Sequence, residues 1–301
     1  MKHFLTLLDI TANEARSILA RAGKLKAMQA KGEVHHTLAG KTLGMIFDKA
    51  STRTRVSFEA GMYQLGGHAL FLQPGATQLG RGEPIEDSAR VLSRMVDGIM
   101  IRTHGHDILQ RFAEYSRVPV INGLTDLTHP CQILADVFTY EEQRGSIAGK
   151  VVAWIGDGNN MAHSWINGAV CFGYKLRIAC PAGYCPDERM LSAARDLGAD
   201  VEICGVPLEA AADADLVTTD VWASMGQEEE QAEREKAFAG FQVDERAMAE
   251  ARPDAVFMHC LPAHRGEEVS AAVIDGPQSV VWDEAENRLH AQKALLEHFL
   301  K

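Results

Sequence analysis

Three hydroxyl groups and two guanidinium groups occupy five consecutive positions, 51–55, which read Ser-Thr-Arg-Thr-Arg. They follow an apolar run at 43–47, whose length and composition predict a buried strand. Apolar residues then recur with helical spacing as far as Gly66-Gly67, which predicts a helix that ends there. Residues 51–55 would therefore lie at a helix N-terminus, where free N–H groups and the helix dipole favour an anion. A capped helix with a solvated arginine face is the plainer interpretation, but five adjacent donors favour a phosphate or carboxylate site.

Polar side chains also follow other predicted strands in the first half of the chain. Arg102 ends one strand, and His129-Pro130-Cys131-Gln132 begins a helix shortly after the next one. The carboxyl ends of parallel strands meet at one edge of a sheet, and ligands of such folds bind there. We therefore expect these side chains to share a crevice with residues 51–55.

Gly156-Asp157-Gly158 follows a strongly apolar strand in the second half, an arrangement typical of dinucleotide-binding sites. The third glycine of that fingerprint is replaced by Met161, and the next strand ends in Cys-Pro instead of an acidic residue. The sequence therefore gives little support to a nicotinamide site. Asn159 and Asn160, which come next, could instead present amide groups to a substrate that carries a carboxylate.

Two further strand ends carry residues that could meet a substrate. Asp220 either caps its own turn or holds a substrate ammonium group. The Ser224-Met225-Gly226 sequence after it is typical of a loop that closes over a ligand. His259-Cys260-Leu261-Pro262 follows the last strand. A buried cysteine usually packs inertly, but a cysteine at a strand end beside a proline turn favours a role in lining the site.

Neither a metal nor an organic cofactor is predicted. His104, His106 and His264 could suggest a metal, but no set of residues has zinc-like spacing. Serine-hydrolase chemistry also lacks support, because the chain contains no G-x-S-x-G sequence. The site predicted from these residues must therefore work with side chains and backbone groups alone.

Composition and charge exclude several classes of protein. The net charge of −11 argues against a surface that binds nucleic acid or an anionic membrane. The apolar run at 4–8 is too short for a signal-peptide core, and no apolar stretch approaches transmembrane length. The six cysteines are scattered without C-x-x-C spacing, as expected of reduced thiols, so we expect a cytoplasmic protein.

The order of predicted elements favours an α/β fold. Helices alternate with strands, which implies parallel sheets with helices on both faces. At 301 residues the chain is long enough for two domains, and the polar stretch 143–150 predicts a linker. We expect two doubly wound domains with the active site in the cleft between them. The first comprises residues 1–142 joined by a C-terminal helix at 286–301, and the second comprises residues 143–285.

Three segments outside this alternation also carry predictions. Residues 8–28 are predicted to form an amphipathic helix, with Thr11 and Glu14 as a capping box. Residues 73–84 are polar, rich in glycine and without periodicity, which indicates a mobile or intersubunit loop. Residues 227–236 are highly charged, which indicates a solvated helix.

Four motifs together resemble the carbamoyltransferase family. They are Ser51-Thr-Arg-Thr-Arg, His129-Pro-Cys-Gln132, Asp220-x-x-x-Ser224-Met-Gly226 and His259-Cys-Leu-Pro262. The resemblance runs from the first predicted domain to the terminal helix, with the motifs in the family's order and at compatible spacings. The first two motifs are shared across the family, and the last two are typical of its members that use ornithine.

The resemblance implies a role for each matching residue. The first domain would bind carbamoyl phosphate and the second the amino acid, in a homotrimer or a multiple of trimers, with Gln78 reaching the site of a neighbouring subunit. Neither nucleic acid nor a membrane would be a partner. The residues that would bind carbamoyl phosphate are Ser51, Thr52, Arg53, Thr54, Gln78, Arg102, His129, Gln132, Cys260, Leu261 and Arg288. Ornithine is assigned to Asn160, Asp220, Ser224 and Met225, and the catalytic groups are Arg102, His129, Asp220 and Cys260.

The implied reaction transfers the carbamoyl group to the δ-amine of ornithine, giving citrulline and phosphate, a step of arginine metabolism. The amine must lose a proton and attack the carbamoyl carbon, whose oxygen then gains charge. Thr54, Arg102 and His129 are suitable donors to that oxygen. Positioning two substrates supplies much of the rate effect without a cofactor. Asp220, Cys260 and the departing phosphate are all candidates to accept the amine proton.

Other members of the family differ from this chain at identifiable positions. Aspartate-specific members have Pro-Leu-Pro where this chain has His-Cys-Leu-Pro, and they typically carry a lysine in the mobile loop. Residues 73–84 contain no lysine. Putrescine-specific members lack the Ser-Met-Gly loop, which is present here. Members that use N-acylated ornithines are harder to separate, because their pockets differ by substitutions around that same loop.

A non-catalytic protein that binds a small amino acid in a two-domain cleft is the alternative from another class. The intact phosphate motif argues against it. The sequence leaves open the direction of the reaction in the cell and any allostery. It also leaves open whether Asn159 or Asn160 contacts the substrate, and whether Arg55 touches phosphate or supports the turn.

Overall fold

Strands and helices alternate along the chain, and every strand pairing among the described residues is parallel. The computed structural model describes residues 2–73, 82–223 and 231–301. Contacts divide the chain into two units. Met1–Phe138 with Glu286–Lys301 forms the first, and Thr139–Ala285 forms the second. The prediction of an α/β fold with two parallel sheets is confirmed.

The first unit is built on a four-stranded sheet. Its strands are β1 (Thr42–Phe47), β2 (His68–Leu72), β3 (Gly98–Arg102) and β4 (Val120–Leu124). Its helices are α1 (Ala12–Ala30), α2 (Thr52–Gln64), α3 (Ile85–Leu92), α4 (His106–Tyr115), the start of α5 (Pro130–Arg144) and the end of α12 (Val281–Leu300). The strand order β2-β1-β3-β4 reverses direction between β1 and β3. Ligands of open α/β sheets bind outside the strand ends at such a reversal.

Burial explains why β1 and β3 form the centre of this sheet. Both are nearly continuous apolar runs, as expected of parallel strands that are covered on both faces. Leu43, Met45, Ile99 and Met100 have no exposed surface. The edge strand β2 is only partly buried. The segments that follow β1 and β3 are therefore attached to the buried centre of the sheet.

The second unit is built on a five-stranded sheet. Its strands are β5 (Val151–Ile155), β6 (Lys175–Ala179), β7 (Val201–Cys204), β8 (Leu216–Thr219) and β9 (Val256–His259). Its other helices are α6 (Asn160–Phe172), α7 (Glu188–Asp196), α8 (Pro207–Ala211), α9 (Gln231–Ala237), α10 (Glu245–Glu250) and α11 (Ala271–Ile274). The order β7-β6-β5-β8-β9 reverses between β5 and β8. The segments after β5 and β8 thus occupy the ligand-binding position of this second sheet.

Sequence and structure differ mainly where elements begin and end. α1 starts at Ala12 rather than at residue 8, because Thr11 and Glu14 form the predicted capping box at that point. α12 starts at Val281, earlier than predicted, and Asp283 and Glu284 in its first turn suit the helix dipole. The break between the units falls at 138/139, inside α5, just before the polar stretch 143–150. Among the described residues, no helix is both long enough and apolar enough to cross a membrane.

Candidate active site

Ser51 caps the N-terminus of α2, as residues 51–55 predicted. Its backbone is extended, with φ −163° and ψ 114°, and its Oγ accepts a hydrogen bond from the Thr54 N–H at 3.2 Å. The turn before it is attached to the neighbouring strand, because the Asp48 N–H donates to the Arg102 carbonyl at 2.9 Å. Arg55 instead lies along the helix, with Nε 3.0 Å from Glu59 and its guanidinium 3.8 Å from the Phe71 ring centre.

Two buried guanidinium groups meet at the Thr54 hydroxyl. Arg288 of α12 donates from Nη2 to Thr54 Oγ1 at 2.9 Å, and Arg102 at the end of β3 donates from Nη1 to the same oxygen at 3.5 Å. Arg288 Nη1 also donates to Gln132 Oε1 and, at 3.3 Å, to His129 Nε2. The side chains that follow these strands lie close together, as predicted. Arg288 of α12 adds a second guanidinium to the group.

Burial and three nearby cations favour the neutral form of the His129 ring. Burial lowers the pKa of His129 well below its usual 6.5, and the nearby charges of Arg288, Arg102 and Arg53 lower it further. An arginine N–H can only donate, so Nε2 accepts from Arg288 and the neutral ring keeps a single N–H. An electropositive cluster with a neutral imidazole suits an anionic ligand that also presents a carbonyl oxygen.

The depressed pKa of His129 makes stability depend on pH in a defined window. Below about pH 6.5 the unfolded state binds a proton at this ring before the folded state does, so the free energy of unfolding falls as pH falls. We expect His129→Gln to lose less stability than the wild type between about pH 7.5 and about pH 5. Urea unfolding at both pH values measures the difference. The exposed His68→Gln is the control, and an equal loss in His129→Gln and wild type would contradict the assignment.

Asn159, Asp220 and Cys260 meet where the second sheet reverses. Asn159 caps α6, with its Oδ1 accepting from the N–H groups of Met161 and Ala162. Its Nδ2 donates to Asp220 Oδ2 at 3.1 Å. The other oxygen of Asp220 accepts from the Val221 N–H at 2.8 Å and from the Cys260 thiol at 3.3 Å. Asp220 thus both caps its turn, as the plainer interpretation held, and joins two site loops.

Leu261 is held in an unusual backbone conformation by His259. Its φ of +57° is uncommon for a residue with a branched side chain and costs about 1 kcal/mol or more. The Leu261 N–H donates to His259 Nδ1 at 2.9 Å, so the ring proton lies on Nε2, 3.1 Å from Glu268 Oε1. Both His259 and Glu268 have no exposed surface. This buried pair fixes the turn that carries Cys260.

Within the described part of the chain, two groups of three side chains have potential metal-ligand atoms within 4.8 Å of one another, although neither has zinc-like sequence spacing. In the first, Asp220, His259 and Cys260, both ring nitrogens of His259 are already engaged in hydrogen bonds. In the second, His264, Glu267 and Glu268, the carboxylate of Glu268 accepts from His259 and from the His264 N–H. Hydrogen bonding accounts for the positions of both groups.

The structure gathers the predicted site residues into two sets, one in each unit. Ser51, Thr54, Arg102, His129, Gln132 and Arg288 form the first, with Thr52 exposed and Arg53 half-buried at the start of α2. Asp220, Cys260 and Leu261 belong to the second, and Asn160 is the first residue of α6. Gln78, Ser224 and Met225 lie outside the described residues.

Arg234 was not predicted to have a structural or functional role. The charged run 227–236 was expected to be a solvated helix, and this prediction is wrong at Arg234 of α9, which is only 7% exposed. Its Nη1 donates to Asp157 Oδ2 at 3.0 Å and to the Trp222 carbonyl at 2.8 Å. An acidic residue directly after a buried strand, such as Asp157, was the available signal that a buried cation had to be found elsewhere. Glu268, which holds His259, was also missed.

Gly158 leaves no room for a side chain. A Cβ atom at this position would overlap the backbone of Cys185 and Pro186, and the Gly158 N–H donates to the Tyr184 carbonyl at 2.8 Å. The glycine therefore serves a close approach between two protein segments. The nicotinamide interpretation, already weak from the sequence, gains nothing from this geometry.

Comparison with known proteins gives one consistent family. The model for the aspartate/ornithine carbamoyltransferase carbamoyl-P binding domain matches residues 2–142, and the model for the Asp/Orn binding domain matches residues 148–299. The ornithine carbamoyltransferase of Halorhodospira halophila is 64% identical over 301 residues, which cover 100% of this chain and 99% of that protein.

Solved structures agree with the sequence comparison. The ornithine carbamoyltransferase of Pyrococcus furiosus has a TM-score of 0.95 and 52% identity, with 99% of this chain and 97% of that chain covered. The enzyme of the same name from Burkholderia thailandensis has a TM-score of 0.92 and 56% identity, with 100% and 99% covered.

Proposed function

The chain belongs to the aspartate/ornithine carbamoyltransferase family, and we propose that it transfers the carbamoyl group of carbamoyl phosphate to the δ-amine of L-ornithine, giving L-citrulline and phosphate. One observation carries the donor half of this reaction. Arg288 and Arg102, both buried, meet at Thr54 beside the free end of α2 and next to a neutral His129. In a protein of net charge −11, such a cluster is suited to a small dianion with a carbonyl group.

The first unit binds carbamoyl phosphate. Its phosphate lies at the N-terminus of α2, where backbone N–H groups, the helix dipole and hydroxyl groups favour negative charge. The residues that hold it are Ser51, Thr52, Arg53, Thr54 and Arg288. The carbonyl oxygen accepts from Thr54, Arg102 and His129, which are stronger partners once the oxygen gains charge in the transition state. Gln132, whose Nε2 is bonded to Asp136 at 2.7 Å, presents its carbonyl to the carbamoyl amide.

The second unit binds ornithine. Asp220 takes the α-ammonium group, since its carboxylate is buried at the sheet reversal. Asn160 takes the α-carboxylate. It follows Asn159, whose amide caps α6 and bonds Asp220, so the two asparagines place this helix start beside Asp220. Ser224 and Met225 complete this set, and Cys260 and Leu261 line the space beside the attacking amine. The model for the carbamoyl-P binding domain ends at residue 142, and the model for the Asp/Orn binding domain begins at residue 148. These bounds support a division of the chain at about residue 142.

Transfer begins with a neutral δ-amine. Its lone pair attacks the carbamoyl carbon, the carbon–oxygen bond to phosphate breaks, and phosphate leaves with the bonding electrons at the α2 N-terminus. The proton lost by the amine goes to a nearby base. Cys260 Sγ lies 3.3 Å from Asp220 Oδ1, which makes the two a linked pair for holding that proton.

Cys260→Ser tests the proton-holding pair. It keeps a donor of similar size but changes the acidity, so we expect the pH dependence of kcat/KM for ornithine to shift. Initial rates across about pH 6 to about pH 10 measure the profile. The exposed Cys185→Ser provides the matched control. An unchanged profile in Cys260→Ser would count against a role for the thiol in handling the proton.

The direct test of the function is a turnover assay. Purified protein is mixed with carbamoyl phosphate and, separately, with ornithine, N-acetylornithine, putrescine or aspartate, and both phosphate release and product identity are measured. We expect turnover with ornithine and with none of the other three amines, and we expect the product to be citrulline. Turnover with another amine alone would keep the donor half of the proposal and reject the acceptor half. No turnover with any of the four would reject both and favour a binding protein.

The proposal extends to assembly and location. A homotrimer or a multiple of trimers, with Gln78 entering the neighbouring subunit's site, is supported by the polar, non-periodic sequence at 73–84 and by the resemblance of its motifs. A cytoplasmic location is supported by six cysteines that form no disulfide, four of them buried. A role in arginine metabolism follows from the proposed product, citrulline. Analytical ultracentrifugation tests the assembly, and a mass corresponding to a monomer would contradict it.

A further inference from the structure

Arg234 is a buried cation that joins three loops at one edge of the second sheet. Its guanidinium bonds Asp157 in the loop after β5 and the Trp222 carbonyl in the loop after β8. It also lies 5.1 Å from the ring centre of Tyr184, in the loop after β6. These loops all leave the carboxyl ends of parallel strands, the edge at which ligands bind.

The Tyr184 ring beside this guanidinium belongs to a group of packed aromatic rings. Trp222 stacks on Phe238 at 5.6 Å, and Tyr184 meets Phe238 edge-on at 4.9 Å. Phe238 is completely buried and follows directly after α9, the helix that carries Arg234. The cation is therefore held by its own helix on one side and by three loops on the other.

Two of the three loops carry the groups proposed to bind ornithine. Asp157 precedes Asn159 and Asn160 in one loop, and its own carbonyl accepts from Trp154 Nε1 at 2.9 Å. Trp222 follows Asp220 by two residues in the other loop. Asn159 and Asp220 are bonded to each other at 3.1 Å, so a shift of either loop moves both ornithine contacts.

We propose that Arg234, through Asp157 and the Trp222 carbonyl, is a positioning residue that sets the spacing between Asn160 and Asp220 and thereby the affinity for ornithine. This inference rests on the proposed role of those two residues in binding ornithine. Arg234 does not touch the substrate. It acts by keeping two loops at a fixed distance, as a single planar group that donates to both can do.

The chemistry of the pair favours a positioning role over a purely stabilising one. Burial raises the pKa of Asp157 to about 6, although the charge of Arg234 opposes that rise. A buried ion pair of this kind adds little to the free energy of unfolding, because the cost of desolvating two charges offsets most of their attraction. Apolar residues of similar volume would avoid this desolvation cost, but they would not bond both loops to a single group.

The test compares ornithine binding with carbamoyl phosphate binding in Arg234→Met. We expect KM for ornithine and the inhibition constant of L-norvaline, which lacks the δ-amine, to rise by roughly 10- to 100-fold. KM for carbamoyl phosphate should stay within about twofold, because its residues lie in the first unit. Arg246→Met, which removes an exposed partner of Asp244 in the same unit, is the matched control and should change neither constant.

A double variant separates positioning from folding. Asp157→Leu combined with Arg234→Met removes both buried charges, so the melting temperature should return toward that of the wild type while KM for ornithine stays raised. Recovery of both together, or an unchanged KM in folded Arg234→Met, would overturn the proposal. A wild type that makes no citrulline from ornithine would instead overturn the proposed function on which it rests.

Discussion

Arg288→Met is expected to lower kcat/KM for carbamoyl phosphate by roughly a thousandfold or more. The guanidinium of Arg288 bonds Thr54, Gln132 and His129, so one substitution removes a phosphate partner and releases three other groups of the donor site. A methionine fills similar volume without the charge. Steady-state rates with saturating ornithine measure the effect.

A second readout of Arg288→Met comes from His129. Because the charge of Arg288 helps to depress the pKa of this ring, we expect that pKa to rise toward its usual value in the variant. An NMR titration of the imidazole signals measures the rise. Arg111→Met, at an exposed ion pair with Glu86 in the same unit, controls for the loss of a surface arginine. A folded Arg288→Met within about tenfold of wild-type kcat/KM would contradict the assignment of the donor site.

Asp220→Asn is expected to lower kcat/KM for ornithine by roughly 100- to 1000-fold while leaving KM for carbamoyl phosphate nearly unchanged. The carboxylate accepts from Asn159, Val221 and Cys260, and an amide cannot accept at both of its ends. The substitution also removes the charge that attracts the α-ammonium group. Two separate substrate titrations measure the two constants.

The control for Asp220→Asn is Asp275→Asn, which neutralises an exposed carboxylate paired with Arg265 in the same unit. That variant should keep both constants. A parallel rise of the two KM values in Asp220→Asn would indicate general disruption of the protein, and an unchanged ornithine constant would show that the ammonium group binds elsewhere.

The donor half of the site was predictable from local sequence to an unusual degree. A buried strand followed by hydroxyl and guanidinium groups fixed the N-terminus of α2, and the geometry of parallel strands brought Arg102, His129 and Gln132 to it. Arg288 could be named only through the resemblance. It reaches Thr54 across 234 positions of the chain, and no local pattern encodes such a contact.

The remaining surprises share one physical cause. Arg234 was expected in solvent because its neighbours in sequence are charged, yet its side chain is buried against Asp157 and Trp222. Glu268 was missed because its partner, His259, belongs to a motif that already had an explanation. In both cases the deciding interaction pairs a buried charge with a group outside its own helix or loop, and periodicity describes only which face of a helix is apolar.

Gly158 serves a different purpose here from the second glycine of a dinucleotide-binding site. In dinucleotide-binding folds the second glycine of this fingerprint clears a path for a pyrophosphate, whereas here the backbone at 184–186 occupies that space. Residue 158 can therefore carry a side chain only if the 184–186 backbone lies elsewhere. Because the atoms in the way belong to the main chain, a side-chain substitution at 184–186 alone would make no room for one.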